Sequence, residues 1–187
     1  MPTAAAGAPE AAPTETALEA FRDSQLQVHA LVTSDATDAE VVHVVDALLD
    51  YATLSTTVRG SRGCADRCAE FDALLTALVR RSYLEQISAE GSGNVVIVDQ
   101  NTKTRNGETR ARVNTIVVFA GARGGKPRTI KVSYLMHPRD GRWRVYDIRT
   151  EGLSLARVIK RDLAALYREG GLDRVLTRMA SKLAEPG

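Results

Sequence analysis

The stretch Asn106-Gly107-Glu108-Thr109-Arg110-Ala111-Arg112-Val113-Asn114-Thr115-Ile116-Val117-Val118-Phe119-Ala120 decides the fold class. Asn-Gly is the strongest short hairpin signal, because both residues adopt positive φ at little steric cost. From Thr109 onward the pattern has a period of two. Ala111, Val113, Thr115, Val117 and Phe119 share one face, which is the signature of a strand with one buried side. Working backward, Asn94–Lys103 is the strand that this hairpin pairs. Working forward, Gly121–Pro127 is a Gly-rich turn, and Thr129–Met136 is a third strand with Ile130, Val132, Tyr134 and Met136 on one face. His137-Pro138-Arg139-Asp140-Gly141 turns the chain into a fourth strand, Arg142–Arg149.

Outside this block the period changes to that of a helix. Thr14 or Thr16 caps a first helix, and Glu19 lies at capping-box spacing from Thr16. Its inner stripe is Leu18, Phe21, Gln25, Val28 and Val32. After the Thr33-Ser34-Asp35 turn, Thr37 or Asp38 starts a second helix bearing Val41, Val44, Val45, Leu48 and Leu49. A short helix covers Asp50–Val58 and stops near Gly60. A longer one runs over Asp66–Glu90 and ends at Gly91-Ser92-Gly93. Past the strands, Gly152 and Ser154 lead into a helix that ends at Gly170-Gly171, and a last helix spans Asp173–Leu183. Helices, then an antiparallel meander of about four strands, then helices, is an α+β fold. The expected architecture is a curved sheet with the N-terminal and C-terminal helices on one face, enclosing a hydrophobic cavity. Residues 1–13 read as a disordered tail. Residues 14–187 read as a single domain, with helices over 15–90, sheet over 94–149 and helices over 153–184.

The chain has 187 residues, 44% hydrophobic and 26% charged, an ordinary globular composition. No run reaches the length of a membrane span. Met1–Thr16 has neither the basic start nor the apolar core of a secretory signal. Charge is uneven. Residues 1–102 hold 6 Lys/Arg against 15 Asp/Glu, and residues 103–149 hold 12 against 3. A basic sheet face suits an anionic headgroup, an acidic partner or plain solvation. Cys64 and Cys68 are too few for a disulfide scaffold. They read either as a local disulfide or as two small buried thiols one helical turn apart.

Catalytic patterns are sparse. There is no Gly-x-Ser-x-Gly elbow, phosphate loop or His-Glu-x-x-His, and the Gly121–Lys126 glycines sit between hairpin strands. His29, His43 and His137 read as structural or solvated, and no metal site is expected. Asp147 and Glu151 form a conceivable acid–base pair, but the arginines around Asp147 favour an ion pair or a cap. The aromatics of the basic sheet lack the glycine-flanked pair of RNA-binding sheets, so no nucleic acid is expected.

The stretch Trp143-Arg144-Val145-Tyr146-Asp147-Ile148-Arg149-Thr150-Glu151-Gly152-Leu153-Ser154-Leu155 resembles the hallmark of the MlaC-type phospholipid-binding proteins, the toluene-tolerance auxiliary family. Their pattern is a Trp-x-Val-x-Asp-Val strand, two or three residues, then Gly-Val-Ser-Leu opening a helix. Trp143, Asp147, Gly152 and Ser154 carry it here. Ile159, Lys160 and Leu163 replace the family's Tyr-Arg-x-x-Phe. Asp50-Tyr51 through Gly60 resembles an Asp-Phe segment that closes in Leu-Gly, with Arg59 in place of Leu. The Trp usual after that glycine is absent.

The resemblance implies a periplasmic phospholipid shuttle with no catalysis and no cofactor beyond its cargo. Its partners are an outer-membrane lipoprotein complex and an inner-membrane ABC transporter with a substrate-binding ring; the shuttle is not itself an integral membrane protein. Together with strand alternation it points to Val113, Val117, Phe119, Ile130, Val132, Tyr134, Val145 and Leu155 as the lining of the lipid cavity. Arg110, Arg112, Arg128 and Lys131 are the basic residues that could meet phosphate or an acidic partner, with Arg112 and Lys131 on the face away from the cavity. Two other classes stand beside this reading. One is a small cone-fold isomerase or hydratase using Asp147 or Tyr134. The other is a basic-faced protein-interaction module.

Overall fold

The computed structural model describes residues 13–34, 36–90, 94–119 and 126–185. The tail over residues 1–12 and the glycine turns at 91–93 and 121–125 lie outside these. The helices are α1 (Ala17–Thr33), α2 (Asp38–Leu48), α3 (Tyr51–Arg59), α4 (Cys68–Glu90) and α5 (Leu155–Ala184). The strands are β1 (Asn94–Arg105), β2 (Glu108–Phe119), β3 (Arg128–Arg139), β4 (Arg142–Thr150) and β5 (Leu153–Ser154).

Local chemistry accounts for the helix starts. Thr16 and Thr37 each form a full capping box, with Glu19 and Glu40 respectively. Asp50 caps α3 by accepting from the Thr53 N–H at 2.9 Å. Gly170 and Gly171 break α5 into two helical segments. Gly171 takes a φ of 63°, where a side chain would be strained.

The sheet is an antiparallel meander of five strands in the order β1-β2-β3-β4-β5. The fifth strand is one more than the sequence suggested. Glu151 and Gly152, both at positive φ, fold Leu153–Ser154 back against Thr150 and Arg149 before the helix begins. Strand β3 also runs further than expected, through Pro138 to Arg139. Its last rung with β2 is Met136, so the N–H that Pro138 lacks is not needed by that neighbour. The turn itself is only Asp140-Gly141, again at positive φ. The inner stripe of β2 is Ala111, Val113, Thr115, Val117 and Phe119, all buried, as the alternation requires. Thr115, its one polar member, donates to the Val132 carbonyl at 3.1 Å.

Among the described residues, apolar packing divides into four clusters. In the first, Leu54 and Val58 of α3, Phe71 and Leu75 of α4, and Ala156, Leu163, Val175, Leu176 and Met179 of α5 pack together. The buried side chains of α5 pack mainly on α3 and α4, while α5 also meets the sheet at β4 and β5. In the second, Ala17, Ala20 and Phe21 of α1 fill one end of the sheet against Ala111, Val113, Met136, Trp143 and Val145. The remaining two clusters make the site.

Candidate functional site

The buried members of the third cluster all come from helices, Val28 of α1 with Val41 and Val45 of α2, and Tyr83 and Leu84 of α4 back them. The fourth is made only of sheet residues: Val117, Phe119 and Val132, with Val95, Ile130, Tyr134 and Ile148 beside them. At this end of the molecule the helical layer and the sheet layer do not merge into one core. Between them lies a pocket of about 610 Å³. Val28, Val44, Val45, Leu48 and Tyr83 line it from the helices, and the fourth cluster lines it from the sheet.

Polar clamps hold the helical wall. Arg80 of α4 grips Asp46 of α2 with two hydrogen bonds, at 2.6 and 2.9 Å, and Tyr51 donates to the same carboxylate at 2.8 Å. Arg144 of β4 donates to the Asp46 carbonyl at 3.2 Å and also reaches that of Ala47. The α2–α3 joint is pinned to the sheet by the Asp50 N–H, which donates to Val145 O at 2.8 Å. Asp50 itself is buried. Burial works to raise its pKa, but hydrogen bonds from Thr53 and His137 and the charge of Arg139 outweigh it and leave the carboxyl below its usual range. His137, read from sequence as solvated or structural, is the structural partner here at 2.8 Å from Asp50. The two are 87 residues apart, and no local signal links them.

The expected lining residues divide. Val117, Phe119, Ile130, Val132 and Tyr134 line the pocket. Val113 and Val145 lie on the same sheet face but at the end that α1 fills, packed with Phe21 and Trp143. Leu155, at the first turn of α5, is not among the lining residues. The helical wall went unnamed from sequence. Its residues were visible as amphipathic stripes, but periodicity does not distinguish a stripe that meets a sheet from one that faces a gap.

The hallmark residues do not touch the pocket. They build the junction beside it. Trp143 donates its indole N–H to Glu15 O at 2.9 Å and so ties down the approach to α1. Asp147 accepts from the Ala156 N–H at 3.1 Å, and Ser154 from the Arg157 N–H at 3.2 Å, so both cap α5. Gly152, at φ 81°, makes the turn between β4 and β5. Asp147 therefore acts as the cap that its surroundings suggested. Glu151, its supposed catalytic companion, accepts instead from the Lys131 N–H at 2.7 Å.

Two phenols open the question of acid–base chemistry in the pocket. Burial raises Tyr83 to about 12 and pushes Tyr134 still further up. Both stay protonated at neutral pH and can donate hydrogen bonds but cannot serve as bases. Tyr134 also packs at a tilt against Phe21, with ring centroids 4.4 Å apart. Of the basic residues, Arg110 and Arg112 line a polar groove on the opposite face of the sheet, near Tyr146. Lys131 is exposed, and Arg128 lies 5.0 Å over the ring of Phe119. Among the described residues no cluster could hold a metal ion, and no helix is long and apolar enough to cross a membrane. Cys64 and Cys68 are joined in a disulfide ahead of and at the start of α4.

The sequence model of the MlaC protein family matches residues 33–181. No curated protein matches the chain. Among solved structures, the fold is similar to that of a phospholipid-binding protein from Ralstonia solanacearum in complex with a phospholipid. The TM-score is 0.71 at 16% identity, over 91% of this chain and 100% of that one.

Proposed function

This chain belongs to the MlaC family, and we propose that it is a phospholipid shuttle that holds acyl chains in the pocket between the helical layer and the sheet. It takes lipid from one membrane complex and delivers it to another: an outer-membrane lipoprotein assembly on one side, an inner-membrane ABC transporter with its substrate-binding ring on the other. The compartment is the periplasm, and the chain acts as a carrier rather than an enzyme.

The observation that supports this reading is the pocket itself. Its volume of 610 Å³ corresponds to about twenty groups the size of a water molecule, at about 30 Å³ each. That is room for one long acyl chain and part of a second. Moving about twenty methylenes from water to such a lining contributes about 16 kcal/mol. That sum is the barrier to a lipid crossing an aqueous gap alone. In a carrier it largely cancels, because one apolar surrounding replaces another, and transfer becomes a matter of docking rather than chemistry. The disulfide fits an oxidising compartment. The phospholipid held by the Ralstonia neighbour adds a precedent for this fold.

The test is native mass spectrometry of the purified chain, followed by lipid extraction. The expected result is a mass increment equal to diacyl phospholipid that survives purification. Bare polypeptide from several expression hosts would overturn the proposal.

A further inference from the structure

The pocket's lining is not uniformly apolar, and among the described residues its one formally charged member is a cation, Arg22. The lining residues that remain exposed, and so form its rim, are Arg22, Leu26, His29, Gln86, Asn94 and Thr150. Arg22, Leu26 and His29 follow one another at helical spacing along a single face of α1, with half-buried Gln25 between them. Among the described residues, the lining contains no Asp and no Glu. Asp23 adjoins Arg22 in the sequence but does not line the pocket, and Glu19, one helical turn back, is occupied at the start of the helix. It accepts from the Thr16 N–H at 2.8 Å and from the Thr16 hydroxyl at 2.9 Å. Arg22 acts on it only through its charge. Arg128, over Phe119, places a further cation beside the lining.

We infer that this rim selects phospholipids whose headgroup carries a net negative charge, with Arg22 as the residue that reads the phosphate. The inference rests on the lipid-carrier reading above and names its substrate class. Phosphatidylglycerol and phosphatidylethanolamine each bring one phosphodiester, which a guanidinium recognises through charge-assisted hydrogen bonds. Zwitterionic lipids add an ammonium group to the same headgroup. At this rim the ammonium meets a cation and no carboxylate, so part of the attraction to Arg22 is cancelled. A headgroup ending in neutral glycerol keeps all of it. Of the four basic residues first suspected of meeting phosphate, Arg110 and Arg112 line a groove on the opposite face of the sheet.

The experiment loads delipidated full-length protein from vesicles of equimolar phosphatidylglycerol and phosphatidylethanolamine with identical acyl chains. Bound lipid is then quantified by mass spectrometry. A partly exposed ion pair predicts an about two- to fivefold excess of phosphatidylglycerol. Arg22→Gln should bring the ratio close to one, Arg22→Glu should invert it, and Arg22→Lys should retain an excess. Arg112→Gln, on the outer face, should leave the ratio as in the unaltered protein. Equal occupancy by the two lipids, or an excess indifferent to Arg22, overturns the inference while leaving the carrier reading intact. Failure to load either lipid overturns both.

Discussion

The sharpest contrast in this molecule is between two valines on the same face of the same sheet. Val113 is fully buried at the filled end, against Phe21, Met136 and Trp143. Val132, paired across the sheet with Thr115 and Thr150, is 9% exposed and lines the pocket. Placing Asp at each position should give different failures. At Val113 the carboxylate has no water and no counter-charge. The effective penalty is several kcal/mol per ion, against a typical total stability of about 5–15 kcal/mol, so Val113→Asp should not fold. At Val132 the carboxylate faces the pocket and keeps part of its hydration until a lipid tail covers it. The same several kcal/mol then falls on binding rather than folding. At about 1.4 kcal/mol per decade, a penalty of about 4 kcal/mol lowers lipid affinity about a thousandfold. Circular dichroism and thermal melting would report the fold, and lipid extraction would report loading. The expected outcome is a folded, lipid-free Val132→Asp and an unfolded Val113→Asp. If Val132→Asp unfolds like Val113→Asp, or retains lipid at full stoichiometry, the division of the sheet into a filled end and a hollow end is wrong.

The Cys64–Cys68 disulfide closes a loop with a sequence separation of 4, for which chain entropy gives about 2 kcal/mol. Replacing both cysteines by serine, or adding reductant, should lower the melting temperature by about 4–8 °C; identical melting of oxidised and reduced protein would contradict this. Asp50 has a folded pKa below its unfolded value, so its stabilising contribution is complete above about pH 4 and disappears as pH falls through the folded value. Melting temperatures between pH 7 and pH 3 should show a shallower acid limb in Asp50→Asn than in the unaltered protein, and parallel limbs would refute the assignment.

Much of the fold was legible because its signals are local. Asn106-Gly107 set the hairpin, and period-two alternation placed the β2 stripe on its correct face. Thr16 with Glu19 located the first helix. Three features escaped for physical reasons. Strand β5 has two residues, too short to show any period. Pro138 reads as a strand breaker, and only the register shows that β2 has ended before it. The His137–Asp50 bond joins segments that no spacing rule connects. The candidate site was half legible. Alternation identified Val117, Phe119, Ile130, Val132 and Tyr134, but it identified Val113 by the same rule. What separates them is whether α1 lies against the sheet at that rung, and a strand's own sequence carries no record of that. Arg22 and His29 had no signal at all, since a charged residue on a helix is by default a solvated one.

The hallmark that resembles the family most closely sits outside the pocket, and the physics of the pocket explains why. Lining residues need only be apolar and small enough to leave a gap, a condition that many sequences meet. A junction that must cap α5, turn at Gly152 and anchor the chain before α1 tolerates few substitutions, so it carries the recognisable letters. That junction also bears on the gap. Trp143 ties down the approach to α1, and Asp147 and Ser154 fix where α5 departs from the sheet. With α1 held at the filled end, its later half packs on α2 and α4 and leaves the opposite sheet end uncovered. The resulting pocket of about 610 Å³ opens to solvent at the rim where Arg22, Leu26 and His29 are exposed, so any occupant competes with water. Water gains few hydrogen bonds from valine, leucine and isoleucine walls, whereas a hydrocarbon chain loses nothing there. On the carrier reading, the rigid junction and the apolar space beside it serve one end, a pocket that favours a hydrocarbon occupant over water.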